Sequence, residues 1–193
     1  MATIGCLSAV AQQGSSQSVA SQPVTSQMLL GGLKDPTKWL MFGGDYTSRR
    51  NSPLTQLTPQ NVNQLTPRWL FQTPAPAPGR GLESTPVVLD GVIYITGNYN
   101  HAWALDARTG RVIWHYQRTL PELLRVCCGM VNRGAAILGD KLYMGTLDAH
   151  LVALDRKTGN VLWDATVERQ ATGTRRKSQC SAMSRLRDNS TRL

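Results

Sequence analysis

Two adjacent cysteines and an arginine are the residues whose types and spacing best suit a chemical site. They lie in one short run, Val126-Cys127-Cys128-Gly129-Met130-Val131-Asn132-Arg133-Gly134. The guanidinium of Arg133 can form fork-shaped, charge-assisted hydrogen bonds to a ligand that carries carboxylates. By residue type alone, the cysteines also fit a pair of reduced, buried thiols, and the arginine also fits an exposed surface residue.

The other polar candidates are an acidic residue and three histidines. Glu83 is predicted to begin a strand, where it could bind a ligand or could be a capping or solvated residue. His101, His115 and His150 have no partner at the spacing that metal ligands require. We therefore interpret the histidines as strand or loop residues and predict no metal site.

A repeat in the middle of the chain indicates how these residues are positioned. The pattern Ala-x-Asp-x-x-Thr-Gly-x-x-x-Trp occurs at 104–114 and again at 153–163. Four pairs of equivalent residues are each separated by 49 positions without a gap: Tyr94 and Tyr143, Asp106 and Asp155, Gly110 and Gly159, Trp114 and Trp163. A period of about 40–50 residues is typical of a four-stranded propeller blade.

Each copy of the repeat predicts four short strands. In the first copy we expect strands at Thr85–Leu89, Val92–Thr96 and Ala102–Leu105, and a fourth strand that ends on Trp114. One such sheet cannot bury both of its faces, so neighbouring blades must stack. The sequence therefore predicts an all-β fold, a partial β-propeller of about two four-stranded blades preceded by a lead-in segment.

Two further elements are predicted before the first repeat. Thr58-Pro59 fits the start of a short helix, with Thr58 as the cap and proline at the first helical position. Trp69-Leu70-Phe71 is predicted to be a strand. No run of about 18 or more apolar residues occurs, so we predict no membrane span.

Composition divides the chain into three parts. Residues 1–34 are rich in Ser, Gln, Gly and Ala, and we expect a disordered leader or the remnant of an export signal cleaved at Ala9-Val10-Ala11. Order is expected to begin near Asp35 and to continue through the blades to residue 168. Residues 169–193 contain no Val, Ile, Phe, Tyr or Trp and are expected to form a disordered basic tail.

The charge of the chain is concentrated in that tail. The net charge is +9, and residues 169–193 hold seven of the 21 basic residues and one of the 12 acidic residues, which gives +6 for the tail and +3 for the rest. The remaining cations are scattered, without a basic stripe or an aromatic stacking pattern. We therefore predict no nucleic-acid binding, for which the tail is the sole support.

These motifs resemble those of the quinoprotein alcohol dehydrogenases, which use pyrroloquinoline quinone (PQQ). The repeated pattern resembles their tryptophan-docking motif, although another repeat propeller with a similar docking scheme would also fit. Residues 126–134 are similar to the family's Cys-Cys-x-x-Val-Asn-Arg-Gly segment, and residues 81–86 to its first cofactor-contacting strand. Trp39-x-x-Phe42-Gly43 and residues 50–54 resemble the family's lead-in, from which Asn51 departs mildly.

The resemblance covers roughly residues 35–168 and implies the start of an eight-bladed propeller. It implies that Cys127 and Cys128 form a disulfide that stacks on PQQ, and that Arg133 and Glu83 hydrogen-bond PQQ. The residues implied to dock neighbouring blades are Asp106, Gly110, Trp114, Asp155, Gly159 and Trp163. The family also uses a calcium or lanthanide ion and a catalytic Asp from later blades. No position here matches those motifs, so we expect this chain to hold no catalytic or metal-binding residue.

The resemblance therefore predicts the N-terminal part of a PQQ-dependent alcohol dehydrogenase that oxidises primary alcohols by hydride transfer to PQQ. It implies an alcohol substrate and a cytochrome-type electron acceptor for the full-length enzyme. A disulfide needs an oxidising compartment, which predicts a periplasmic or secreted protein. Because two blades leave sheet faces uncovered, we expect the chain alone to be poorly stable and inactive. The alternative function is a non-enzymatic envelope propeller that serves as a scaffold. For the basic tail, we expect a premature end with an altered reading frame over the last stretch, and a genuine short protein with a basic tail is the alternative.

Overall fold

The computed structural model describes residues 22–74, 81–122, 124, 126 and 129–167. Two four-stranded antiparallel sheets dominate this part of the chain, each with its strands in sequence order. Blade 1 contains β1 (Val87–Leu89), β2 (Val92–Gly97), β3 (His101–Asp106) and β4 (Val112–Gln117). Blade 2 contains β5 (Ala136–Leu138), β6 (Lys141–Gly145), β7 (His150–Asp155) and β8 (Val161–Thr166). The predicted all-β fold with two four-stranded blades is confirmed.

The two blades pack against each other through apolar side chains from both sheets. Blade 1 contributes Val87, Leu89, Tyr94, Ala102, Ala104 and Trp114, and blade 2 contributes Ile137, Leu142, Met144, Val152 and Leu154. Burial of this surface is the main stabilising term, since neither sheet has a second layer of its own. The last strand is less well covered, because every residue of β8 is exposed.

An N-terminal strap, residues 22–40, crosses the two blades, where a disordered leader was expected up to residue 34. It contains the helix α1 (Ser26–Gly31), whose N-cap is Thr25, and a 3-10 helix at Gly32–Lys34. Backbone hydrogen bonds of 3.0 and 2.7 Å join Val24 to Gly139 in blade 2, and bonds of 2.9 and 2.8 Å join Trp39 to Val88 in blade 1. The expectation of disorder up to residue 34 is therefore wrong for residues 22–34, since paired backbone and a buried Val24 hold them in place.

Two predicted elements of the lead-in segment are also wrong. The expected helix at Thr58 is a turn followed by a 3-10 helix of three residues, Val62–Gln64, because it has no buried face to stabilise a longer helix. Trp69 does not lie in a strand. Its tertiary contact is made by the side chain, whose indole N–H donates to the carbonyl of Ala107 at 3.1 Å.

Among the described residues, no helix is both long enough and apolar enough to cross a bilayer.

Candidate functional site

The repeated Asp-x-x-Thr-Gly segment forms the turn between the last two strands of each blade. In blade 1, Asp106 Oδ1 accepts hydrogen bonds from the N–H groups of Arg108 at 3.0 Å and Thr109 at 2.8 Å, and from the Thr109 hydroxyl at 2.8 Å. The hydroxyl and then the N–H of Thr109 lower the pKa of Asp106, because both favour the ionised carboxylate. In blade 2, burial raises the pKa of Asp155, but the N–H groups of the following residues outweigh it and the net shift is downward.

These turns receive tryptophan rings from the preceding part of the chain. The indole N–H of Trp114 donates to the carbonyl of Arg156 at 2.9 Å, and a Cβ at Gly159 would lie 2.7 Å from its ring. The same arrangement occurs at the turn of blade 1, where the ring of Trp69 lies against Gly110 and a Cβ on this glycine would lie 2.5 Å from the ring. Both glycines have a positive φ, +71° at Gly110 and +74° at Gly159. Only glycine suits both the backbone conformation and the close approach of the ring.

The sequence motifs do not indicate the contact between Trp69 and the turn of blade 1. It stands 45 residues before Trp114, close to the repeat period, but no Asp-x-x-Thr-Gly segment precedes it. At the other end of the series, the side chain of Trp163 is 39% exposed, whereas that of Trp114 is 7% exposed. The indoles of Trp69 and Trp114 thus lie against the turn of the following blade, and that of Trp163 remains partly exposed on blade 2.

The beginnings of the two blades lie side by side and bring two predicted cofactor residues together. Thr85 and Gly134, which are equivalent in the repeat, form a parallel β-bridge. Next to them, Arg133 Nη2 lies 3.0 Å from Glu83 Oε2, with side chains that are 57% and 27% exposed. Glu83 precedes β1 by four residues, which corrects its expected place at the start of the strand. Cys127 and Cys128, the other predicted cofactor residues, lie outside the described residues.

Buried amides come from the residue before Arg133 and from the loop that follows β2. Asn132 Nδ2 donates to the carbonyl of Gly145 at 2.8 Å, and Asn132 Oδ1 accepts from the N–H of Gly134 at 3.1 Å. Two buried amide atoms among the described residues have no hydrogen-bond partner, Asn98 Oδ1 and Asn100 Nδ2. A buried polar atom without a hydrogen bond costs free energy of folding, so its presence indicates that another interaction or a functional role fixes the side chain.

His101 and His150 occupy equivalent positions in the two blades and make different contacts. His101 and His115 stack with Trp103, and His101 Nδ1 lies 2.8 Å from His115 Nε2. Burial lowers the pKa of both rings, and the neighbouring His115 adds to the effect on His101. In blade 2, His150 Nδ1 instead lies 2.6 Å from Asp164 Oδ1. Within the part of the chain that the structure describes, no three His, Cys, Asp or Glu side chains converge as metal ligands would.

Two stacked four-stranded sheets, each with a turn that receives an indole from the preceding part of the chain, define consecutive blades of a β-propeller. Residues 39–160 match the family described as the glucose/ethanol/alcohol dehydrogenase β-propeller domain, PQQ. The chain therefore belongs to this family of PQQ-dependent dehydrogenases.

Relatives of the chain include several quinoprotein dehydrogenases. The chain is 44% identical over 144 residues to a quinoprotein ethanol dehydrogenase of Pseudomonas putida, which covers 75% of this chain and 23% of the relative. The solved structure of a quinohemoprotein alcohol dehydrogenase from Pseudomonas putida HK5 superposes with a TM-score of 0.70 at 38% identity, over 78% of this chain and 22% of that one. A europium-containing methanol dehydrogenase superposes with a TM-score of 0.68 at 34% identity, over 74% and 25% of the two chains. The chain thus spans about a quarter of the length of the relatives that it matches.

Proposed function

We propose that this chain forms the first blades of a PQQ-dependent alcohol dehydrogenase and provides part of the PQQ site. The observation that carries the proposal is the Arg133–Glu83 ion pair, which lies where the two blades begin side by side. PQQ carries three carboxylates and an ortho-quinone, so a half-exposed guanidinium beside a carboxylate offers a matching donor and acceptor. The residues present therefore fit the cofactor.

The ion pair can prepare Arg133 for a carboxylate ligand without competing strongly against it. A partly exposed pair of this kind contributes only about 0.2–1 kcal/mol, because water screens both charges. A hydrogen bond between a guanidinium and a ligand carboxylate in a more enclosed site contributes about 1.5–3 kcal/mol. Arg133 can therefore bind a PQQ oxygen and remain oriented by Glu83, while the Glu83 carboxylate accepts a hydrogen bond from an edge of the ligand.

The remaining parts of the site are proposed from the family. Cys127 and Cys128 form a disulfide that stacks on the flat face of PQQ, which requires a periplasmic or secreted location. When bound, PQQ accepts two electrons from a primary alcohol, and a calcium or lanthanide ion and a cytochrome-type acceptor serve the full-length enzyme. The catalytic Asp and the metal ligands come from later blades, so the chain alone is inactive. The next blade packs on the exposed β8 and covers Trp163.

The experiment compares PQQ binding to the chain and to two arginine variants. Arg133→Ala removes the proposed ligand, and Arg111→Ala removes the same charge from an exposed turn at the opposite end of blade 1. Binding is measured by quenching of tryptophan fluorescence at about 0.15 M ionic strength, where long-range attraction is screened. We expect Arg133→Ala to weaken binding about 10- to 150-fold, the equivalent of the lost charged hydrogen bonds, and Arg111→Ala to leave it within about twofold.

Two results contradict the proposal. If both variants weaken binding equally, net charge rather than a defined site attracts the ligand. If PQQ does not bind at all, a scaffold propeller without a cofactor becomes the better account.

A further inference from the structure

The turn that carries Arg133 is fixed by the side chain that precedes it. Asn132 is 1% exposed, and its two amide atoms have different partners. Its oxygen accepts from the N–H of Gly134 at 3.1 Å, which closes a turn around Arg133, and its nitrogen donates to the carbonyl of Gly145 at the end of β6 at 2.8 Å. Because one partner is a donor and the other an acceptor, the amide can adopt only one orientation. The backbone on both sides of Arg133 is therefore anchored to blade 2.

A loop of blade 1 reaches the same place. Asn100 is fully buried, and its Oδ1 accepts from the N–H of Leu147 at 3.1 Å and lies 3.5 Å from Asn132 Nδ2. The preceding Tyr99 donates its N–H to the carbonyl of Met130 at 2.8 Å. This loop therefore contacts the chain both before β5 and after β6.

The geometry of this loop is unfavourable by itself. Tyr99 and Asn100 have φ values of +56° and +59°, and two successive non-glycine residues in the left-handed region are strained. Asn100 Nδ2 is buried without a partner, and turning the amide over cannot relieve this, because the N–H of Leu147 needs the oxygen. Strain and an unpaired donor persist where a site requires the geometry.

We propose that Asn132, supported by Asn100, is a positioning residue for Arg133. This inference rests on the proposed function, since the benefit of a fixed Arg133 is a guanidinium already oriented for a ligand carboxylate. The amide fixes the direction in which the Arg133 side chain leaves the backbone, and Glu83 fixes the far end of that side chain. A flexible arginine held at both ends loses less conformational freedom when it binds a ligand.

The test measures Arg133 itself before any ligand is added. In the full chain labelled with ¹⁵N, the order of the Arg133 Nε–H vector is compared for the parent, for Asn132→Ala and for Asn132→Ser. Serine can still accept from the Gly134 N–H but cannot reach Gly145. Asn160→Ala, at an exposed turn of blade 2, is the matched control. We expect the order to fall in Asn132→Ala, to fall less in Asn132→Ser, and to be unchanged in Asn160→Ala.

A double-mutant cycle then separates positioning from a general loss of structure. We expect Asn132→Ala to weaken PQQ binding about tenfold when Arg133 is present and to have no further effect in the Arg133→Ala background. An equal loss in both backgrounds overturns the inference, and so does unchanged Arg133 order in Asn132→Ala.

Two further outcomes are distinct from these. If the parent chain does not bind PQQ, the proposed function fails, and the order of Arg133 still decides the positioning role. If neither Asn132 variant folds, hydrogen exchange of the parent chain decides: slow exchange of the Gly134 N–H supports the anchored turn, and exchange at the rate of exposed loops overturns it.

Discussion

Gly159 and Gly91 have the same backbone conformation, with φ at +74°, but very different surroundings. A Cβ at Gly159 would lie 2.7 Å from the ring of Trp114, whereas a Cβ at Gly91 would meet no atom within 4 Å. The two alanine substitutions therefore share one cost and differ in another. Both place an L-residue in the left-handed region, which costs about 1–2 kcal/mol. Only Gly159→Ala also pushes the indole away from the turn.

The size of the second cost follows from this contact. A separation of 2.7 Å is far shorter than an ordinary carbon–carbon contact, and overpacking of a buried site costs about 1–3 kcal/mol. We therefore expect Gly91→Ala to lower the free energy of unfolding by about 1–2 kcal/mol and Gly159→Ala to lower it by about 2–5 kcal/mol. Effects on the unfolded chain are the same for both variants and cancel in the comparison.

Urea denaturation, followed by far-ultraviolet circular dichroism, measures both free energies. If Gly159→Ala and Gly91→Ala destabilise the chain equally, the indole does not press on the turn, and the proposed docking between blades is wrong.

Two further predictions concern stability. Trp114→Ala should lower the free energy of unfolding by about 3–5 kcal/mol, because this side chain is buried between the blades. Trp163→Ala should lower it by less than about 2 kcal/mol, because this side chain is partly exposed. Equal losses in urea denaturation would show that Trp163 is covered. Burial lowers the pKa of His101 and His115 from the ordinary value of 6.5. As the pH falls, these histidines are therefore protonated in the unfolded chain before they are protonated in the folded chain. The stability that they contribute is complete above pH 6.5 and should be lost as the pH falls below it. His115→Gln should reduce this loss between about pH 8 and about pH 5, and an unchanged slope would rule out the histidine pair as its source.

The blades could be predicted because the repeat records local chemistry. Asp106 and its equivalent Asp155 each hold a turn through bonds to residues two and three positions later, so the signal lies within a few residues. The strands follow from the same register, and β2 begins at the predicted Val92. The fourth strand of blade 1 runs three residues past Trp114 to Gln117, since its partner His101 lies at the far end of β3.

The strap and the first indole contact could not be predicted, because they depend on distant partners. Val24 is bound by Gly139, more than a hundred residues later, and nothing in the composition around Val24 indicates that pairing. Trp69 contacts a turn 41 residues later and has no motif of its own. The candidate site could be predicted in part. Glu83 and Arg133 were predicted individually from the family resemblance, whereas their contact depends on the parallel pairing of Thr85 with Gly134.

The claim that this chain contributes to a PQQ site is tested most directly by mapping where PQQ binds. PQQ is titrated into the ¹⁵N-labelled chain at about 0.15 M ionic strength, and the shifts of the backbone and arginine signals are recorded. We predict that the shifts are concentrated at Glu83, Arg133 and Gly134, with little change at Gly91 and Gly159. Shifts confined to residues 169–193 would contradict the claim, because the +6 charge of that segment can attract any anionic ligand without a site.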